Sequence, residues 1–92
     1  MHIGYVTQYG WFKKEYTSPE EIRKDFAEFK KALKNHDIEF LFYAGSYGVV
    51  EPCMWAVKFK DIKVWEKAVL ARVMQSNPLD KTRTIYGWDY EE

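Results

Sequence analysis

Residues 18–34, SPEEIRKDFAEFKKALK, carry the clearest structural signal in the sequence. Ser18 is a typical N-cap, Pro19 suits the first helical position, and Glu21 completes a capping box. Apolar side chains then recur at spacings of four, three and four residues, which places them on one stripe of an α-helix. These side chains are Ile22, Phe26, Phe29 and Leu33. The stretch therefore predicts an amphipathic helix that runs to about Lys34 and has one apolar face to bury.

Strands are predicted on both sides of this helix. Residues 2–12 are rich in Tyr, Val, Thr and Trp, which favour β-structure. Residues 38–44 and 53–60 form a second and a third strand, most simply paired as a hairpin, with residues 45–48 as a turn or bulge between them. Alternation divides the second strand into two sets. One face carries Ile38, Phe40, Phe42 and Ala44, and the other carries Glu39, Leu41 and Tyr43.

A second helix is predicted to begin at Asp61, whose carboxylate can cap it. Its apolar stripe consists of Ile62, Trp65, Val69 and Val73, and Asn77-Pro78 ends it. Residues 81–90 alternate and form the last predicted strand. The order β-α-β-β-α-β predicts a ferredoxin-like α+β sandwich as a single domain, 1–92. In this fold a four-stranded antiparallel sheet has both helices on one face.

The composition limits the possible classes of function. Lys plus Arg and Asp plus Glu number 14 each and are interleaved, so we expect neither nucleic-acid nor membrane binding. Cys53 is the single cysteine, which excludes an internal disulfide and favours a reducing compartment. The first residues lack a signal-peptide pattern, and no apolar run approaches the length of a membrane span. We therefore expect a soluble cytoplasmic protein.

Aromatic residues make up 18% of the chain, more than a thin core needs, which indicates a second apolar surface. We call the sheet face away from the helices the outer face. Lys58 is charged and should avoid the core, so we place it on the outer face. With Lys58 there, a set of apolar side chains is assigned to the same face. The set is Tyr5, Tyr9, Leu41, Tyr43, Met54, Tyr86 and Trp88. An error of one residue in a strand's register would reverse the assignment.

RNA-recognition motifs share this order of elements and stack bases on an aromatic sheet face. The stretch around the third predicted strand, Glu51 to Phe59, does not match their arrangement of basic, glycine and aromatic residues in any register. With zero net charge in addition, RNA binding is disfavoured. Packing against a second copy is another explanation of the aromatic face.

In its order of elements, its length and its aromatic outer face, the chain resembles the dimeric α/β-barrel superfamily. The resemblance implies a homodimer in which two sheets join through their outer faces, with a cleft on each side. Members include cofactor-independent monooxygenases, lactone isomerases, haem-degrading oxygenases and ligand sensors, and they share no universal motif. The haem-degrading type is disfavoured, because the first predicted strand has no Asn and the second helix no His. A regulatory module resembling amino-acid-sensing domains of this topology is a further alternative.

The predicted ligand site is a cleft with apolar walls and a few polar groups. Its residues are Tyr5, Tyr43, Lys58, Tyr86 and Trp88. We expect a small organic ligand, no cofactor and no metal. Two alternatives stay open. The rings could serve only as a dimer interface, in a structural or interaction role. The protein could also be a cofactor-independent monooxygenase- or isomerase-like enzyme, in which tyrosine hydroxyls orient the substrate and Lys58 stabilises negative charge.

The remaining candidates carry structural expectations. His2 and His36 would need carboxylates from elsewhere to bind a metal and are expected to be surface or capping residues. Cys53 is expected as a small buried residue and not as a nucleophile. Glu51 is expected as an exposed loop carboxylate, and residues 45–48 as a bulged turn without the features of a phosphate loop.

Overall fold

The computed structural model describes residues 2–90, so the ends of the predicted 1–92 domain, Met1, Glu91 and Glu92, lie outside the described residues. The strands are β1 (Gly4–Phe12), β2 (Glu39–Gly45), β3 (Cys53–Phe59) and β4 (Leu79–Trp88). The α-helices are α1 (Pro19–Lys34) and α2 (Ile62–Leu70), and a short 3₁₀ helix, Val73–Ser76, precedes β4. The predicted order β-α-β-β-α-β is confirmed.

The strands form one antiparallel sheet in the order β2-β3-β1-β4. In the two central strands, Val6 lies opposite Val57, and both are fully buried beneath the helices. The core continues into α1 through Phe29 and Leu33 and into α2 through Trp65. Both helices therefore cover the same sheet face, and the predicted ferredoxin-like architecture is confirmed.

Helix α1 begins where its capping signals predict. The Ser18 hydroxyl accepts a hydrogen bond from the Glu21 amide at 3.4 Å. The Glu21 carboxylate accepts hydrogen bonds from the amide and the hydroxyl of Thr17, at 3.2 and 2.9 Å. The first contact satisfies an amide that the first turn of a helix leaves unpaired. The second differs from the predicted capping box, because the Glu21 carboxylate binds Thr17, one residue before the N-cap, and not the Ser18 amide.

Helix α2 is shorter than predicted. Asp61 caps it as expected, since its carboxylate accepts from the Lys63 amide at 2.8 Å. The helix ends at Leu70, and Arg72 then adopts a left-handed backbone with φ of 63°, which a continuing α-helix cannot contain. Val73, the last member of the predicted stripe, is buried but belongs to the 3₁₀ helix.

Aromatic rings form much of the core between the helices and the sheet. Trp55 meets Phe29 edge-on at 5.1 Å between ring centroids, and Phe59 stacks with Trp65 at 5.7 Å. All four rings are buried, and each such ring removes about 150–250 Å² from water. Large rings thus provide the apolar burial that a small domain lacks in residue number.

A buried polar cluster, which we call the Asn77 junction, joins β1, β3 and β4 to the end of the 3₁₀ helix. Asn77 Oδ1 accepts from the Trp55 indole at 2.9 Å and from the Leu79 amide at 3.0 Å. Asn77 Nδ2 donates to Gln8 Oε1, and Gln8 Nε2 donates to the Thr84 hydroxyl at 3.1 Å. The amide side chains of Asn77 and Gln8 are thereby satisfied inside the core.

Strand β2 contains a bulge that the alternation of its sequence did not predict. Phe40 lies opposite Val57, whereas Phe42 lies opposite Ala56, the next residue back along β3. Leu41 is therefore the extra residue on the β2 side. Beyond the bulge, the side chains of β2 exchange faces.

The bulge corrects the predicted position of Tyr43. Tyr43 lies opposite the buried Trp55, and its ring stacks on Phe26 of α1 at 4.1 Å with an interplanar angle of 1°. It therefore faces the helices, and Phe42 takes the outer-face position instead. The prediction was wrong because one inserted residue reverses every later side chain in a strand.

The inward side of β4 is also opposite to the prediction. Tyr86 lies opposite Val6, and Trp88 lies opposite Gly4, both buried residues of β1. Tyr86 and Trp88 therefore lie on the helix side of the sheet, and Ile85 lies on the outer face. The prediction was wrong because both sides of β4 carry large apolar residues, so that alternation alone did not identify the inward side.

Candidate functional site

The outer face is formed by the strand residues that alternate with the buried ones. Its members are Tyr5, Thr7, Tyr9, Trp11, Glu39, Phe42, Ala44, Met54, Ala56, Lys58, Asp80, Arg83, Ile85 and Gly87, and four of these are charged. Most of these side chains are apolar, and Trp11, Phe42 and Ile85 are 39%, 46% and 45% exposed. The sheet thus presents a largely apolar surface that no helix of the described residues covers.

Two of the five predicted ligand-site residues lie on the outer face. Tyr5 on β1 and Lys58 on β3 are directly opposite each other in the register. Both side chains are half-buried. They mark one end of the face, near the N-terminus of β1.

An ion pair lies at the other end of the outer face. The Arg83 guanidinium donates to both carboxylate oxygens of Glu51, from Nε at 2.9 Å and from Nη2 at 3.2 Å. It also lies 4.9 Å from the centroid of the Tyr9 ring. These hydrogen bonds from Arg83 lower the pKa of the Glu51 carboxyl and raise the pKa of the guanidinium. Glu51 is only 8% exposed, so the expectation of an exposed loop carboxylate was wrong; pairing with Arg83 permits its burial.

A groove of about 410 Å³ lies between α2 and β4, on the helix side of the sheet. We call it the α2–β4 groove. Its apolar walls are Phe59, Ile62, Tyr86 and Trp88. Asp61 and Lys63 line it at the start of α2, and His2 lines it beside the start of β1. The volume is within the range of small-molecule sites, which are typically about 300–1,000 Å³.

The groove exists because the helical layer does not cover the edge strand. The rings of Tyr86 and Trp88 are 57% and 59% exposed although they point to the helix side. The Trp65 indole donates a hydrogen bond to the Tyr86 hydroxyl at 3.4 Å, which ties β4 to α2. A second hollow, of about 450 Å³, shares Ile62 and Tyr86 with the groove and continues along α2 to Leu70.

Tyr43, the remaining predicted ligand-site residue, is separate from both surfaces. Its ring packs on Phe26 at the β2 edge of the sheet, beside α1. The five predicted residues therefore occupy three places: the outer face, the α2–β4 groove and the α1 side of β2. No single cleft unites them.

The remaining candidates have structural surroundings. Cys53 is half-buried, and burial raises the pKa of its thiol. Gly48, in the turn after β2, has a φ of 75°, a conformation that glycine adopts without strain. Within residues 2–90, no group of three or more His, Cys, Asp or Glu side chains is arranged to hold a metal ion.

The predicted outer-face set did not include Trp11, Phe42 and Ile85, although Trp11 alternates with Tyr5 and Tyr9 in the sequence. For β4 a usable signal existed. Arg83, like Lys58, carries a charge that should avoid the core, and an outward Arg83 puts Ile85 outside and Tyr86 inside. For Phe42 there was no such signal, because nothing in the sequence around Leu41 marks a bulge.

Comparisons with known proteins identify the architecture. No family model matches the sequence, and a search of curated proteins found no match. A hydroxynitrile lyase from Passiflora edulis has a similar structure, with a TM-score of 0.66 at 12% identity over 99% of this chain and 96% of that one. A dabb-family protein with a ferredoxin-like fold from Mesorhizobium loti gives 0.65 at 15% identity over 95% and 96%.

The cofactor-independent oxygenase SnoaB from Streptomyces nogalater is also similar in structure. It gives a TM-score of 0.58 at 10% identity, over 99% of this chain and 95% of that one. At these identities the similarity is one of fold. It confirms the predicted ferredoxin-like fold, which the dabb-family protein shares.

Across the described part of the chain, neither α-helix is long and apolar enough to cross a bilayer.

Proposed function

We propose that this protein binds a small organic molecule in the α2–β4 groove. The observation that carries the proposal is the cluster of apolar walls formed by Phe59, Ile62, Tyr86 and Trp88 around about 410 Å³. Exposed aromatic rings beside a concave apolar surface are typical of ligand sites and lose little rotameric freedom on binding.

The lining of the groove favours a compact and uncharged ligand. Its walls are apolar, and the two charged side chains that line it, Asp61 and Lys63, have opposite signs. The Asp61 carboxylate is already engaged by the Lys63 amide at the start of α2. A ligand with one or two flat rings would gain most from this lining, because it could contact the Tyr86 and Trp88 rings face-on or edge-on.

Saturation-transfer NMR with neutral one- and two-ring compounds, starting with 2-naphthol, tests the proposal. Binding should weaken about tenfold or more in Trp88→Ala, which removes one wall of the groove. The matched variant Trp11→Ala removes the same type of side chain from the outer face and should bind like the wild type. Equal effects of the two substitutions, or no binding by the wild type, would exclude the groove as the site.

We further propose that two copies associate through the outer face. The supporting observation is the largely apolar outer face that includes the exposed Trp11, Phe42 and Ile85. Two such sheets can pack face to face at about 10 Å, as in other layered β-structures. The dimeric α/β barrels, to which the fold is similar, join their sheets in this way.

Sedimentation velocity at micromolar concentration tests the association. The wild type should sediment as a dimer, and Ile85→Glu should shift it towards the monomer, because a carboxylate would be buried between the sheets. Leu70→Glu places the same charge on α2, at a side chain that is 84% exposed, and should leave the dimer intact. A monomeric wild type, or equal behaviour of the two variants, would count against association through this face.

Binding is better supported than the enzyme alternative. The predicted mechanism needed Lys58 beside several tyrosine hydroxyls in one cleft, but of the predicted tyrosines only Tyr5 lies beside Lys58, and Tyr86 lies on the helix side of the sheet. The lyase and oxygenase activities named for the similar structures belong to those proteins. The single thiol, Cys53, is consistent with the reducing cytoplasm that we propose as the location.

A further inference from the structure

The loop between β2 and β3, residues 46–52, exposes apolar side chains at its tip. Tyr47 is 98% exposed, Val50 is 85% exposed and Val49 is 36% exposed. We call residues 47–50 the loop tip. Apolar side chains grouped in this way are uncommon on a surface that stays in water, and they indicate contact with another molecule.

The base of the loop is held in place by hydrogen bonds. The Ser46 amide donates to the Pro52 carbonyl at 3.1 Å, and the Ser46 hydroxyl donates to the Glu51 carbonyl at 2.6 Å. Gly48 allows the tip to turn with a φ of 75°. The tip is therefore presented on a closed base, which lowers the entropy that it would lose on docking.

The loop is also fixed to the outer face. The Glu51 carboxylate is bound at two points by Arg83, and the Arg83 guanidinium lies over the Tyr9 ring. Arg83 and Tyr9 are both members of the outer face. The ion pair thus holds the loop at the rim of the surface where a second copy is proposed to pack.

We infer that the loop tip is an arm that packs on the second copy of the chain at the rim of the dimer. This inference rests on the proposed association through the outer face. Its physical basis is that the loop and the outer face form one continuous surface, because the Glu51–Arg83 pair joins the loop to that face. The tip itself, Tyr47-Gly48-Val49-Val50, contains no charge, so its burial would require no desolvation of an ion.

Sedimentation equilibrium of the double variant Tyr47→Ser/Val50→Ser tests the arm. The dimer dissociation constant should rise about tenfold or more, while the thermal unfolding of the monomer should not change. Leu70→Ser is the matched control, since it removes an equally exposed apolar side chain from α2. It should leave the dissociation constant unchanged.

The possible results of this experiment distinguish failure of the arm inference from failure of the proposed dimer. A wild-type dimer whose dissociation constant is the same in the double variant overturns the arm and leaves the association standing. A wild type that is monomeric at all concentrations overturns both. An equal effect of the double variant and of Leu70→Ser also overturns the arm, because it would show a general response to lost apolar surface.

A photo-crosslinker provides a direct readout. With p-benzoylphenylalanine at position 47, irradiation should join two chains, and mass spectrometry should find the adduct on a peptide of the second copy that carries an outer-face strand. Adducts confined to the same chain, in a sample that sediments as a dimer, would contradict the arm. The outer-face variant Ile85→Glu should abolish the intermolecular product together with the dimer.

Discussion

At the scale of single residues, Arg83 makes several contacts outside the core. Its guanidinium binds both oxygens of Glu51, lies over the Tyr9 ring, and links the β2–β3 loop to β4. A bidentate arginine–carboxylate pair is planar and directional, which makes it a stronger constraint on geometry than a surface lysine pair. Lysine in place of Arg83 would keep the charge and lose the two-point contact.

The Glu51–Arg83 pair also predicts a dependence of stability on pH. Arg83 holds the pKa of Glu51 below its ordinary value in the folded state. The pair therefore contributes its full stabilisation above the unfolded-state pKa of roughly 4.3, and this contribution disappears as the pH falls through the lower folded-state pKa. The free energy of unfolding of Glu51→Gln should thus be furthest below that of the wild type at neutral pH.

Urea unfolding at fixed protein concentration between pH 3 and 7 measures this difference. The gap between the wild type and Glu51→Gln should close towards the acidic end. Glu28→Gln, at an exposed position of α1, is the matched control and should show no such closing gap. A gap for Glu51→Gln that is constant with pH would show that the ion pair does not contribute in this way.

At the scale of elements, the Asn77 junction explains how the end of the 3₁₀ helix, β1, β3 and β4 are held together. One buried amide accepts hydrogen bonds from Trp55 and Leu79 and donates to Gln8. Hydrogen bonds are directional, so this cluster fixes the position of β4 relative to β1. Apolar contacts alone would allow one strand to slide along the other.

Asn77→Ala should therefore be strongly destabilising. It leaves the Trp55 indole, the Leu79 amide and the Gln8 carbonyl without their partner, and each unpaired buried group costs about 1–3 kcal/mol. We expect a loss of about 3 kcal/mol or more in the free energy of unfolding, measured by urea titration with Trp fluorescence. Asn35→Ala, at an exposed position at the end of α1, should change the free energy of unfolding by less than about 1 kcal/mol. Equal losses in both variants would show that the junction is not a stabilising element.

The elements differ in how well the sequence predicts them. The start of α1 was predictable because Ser18 and Glu21 act within one turn, and the start of α2 because Asp61 caps it locally. The end of α2 was not predictable. The helix stops before Arg72, which has a left-handed backbone, and no local residue pattern indicates this stop. Local chemistry fixes the helix starts.

Strand faces depend on partners that are far away in the sequence. The bulge at Leu41 is defined only by the register of β2 against β3. The inward side of β4 is set by its pairing with β1, where Gln8 and Val6 are buried. The order of elements was therefore predictable, whereas the faces of three aromatic residues were predicted wrongly. Tyr43 was misplaced by a bulge that the sequence does not mark, and Tyr86 and Trp88 were misplaced although the charge of Arg83 indicated the outward side of β4.

At the scale of the whole molecule, the two sides of the sheet carry the two proposed activities. Trp11, Phe42 and Ile85 on the outer face support association, and Tyr86 and Trp88 on the helix side support ligand binding. A protein of this size can have two apolar surfaces because it contains many aromatic residues. These residues are the aromatic surplus seen in its composition.

The register of β4 has a consequence for how ligand uptake and assembly would relate. Because Tyr86 and Trp88 point away from the outer face, a dimer would carry its two grooves on its exterior, with the thickness of both sheets between them. A ligand could then enter or leave either subunit without the subunits separating. Titration of the grooves should follow a single independent-site isotherm whose midpoint does not shift with protein concentration across the monomer–dimer transition.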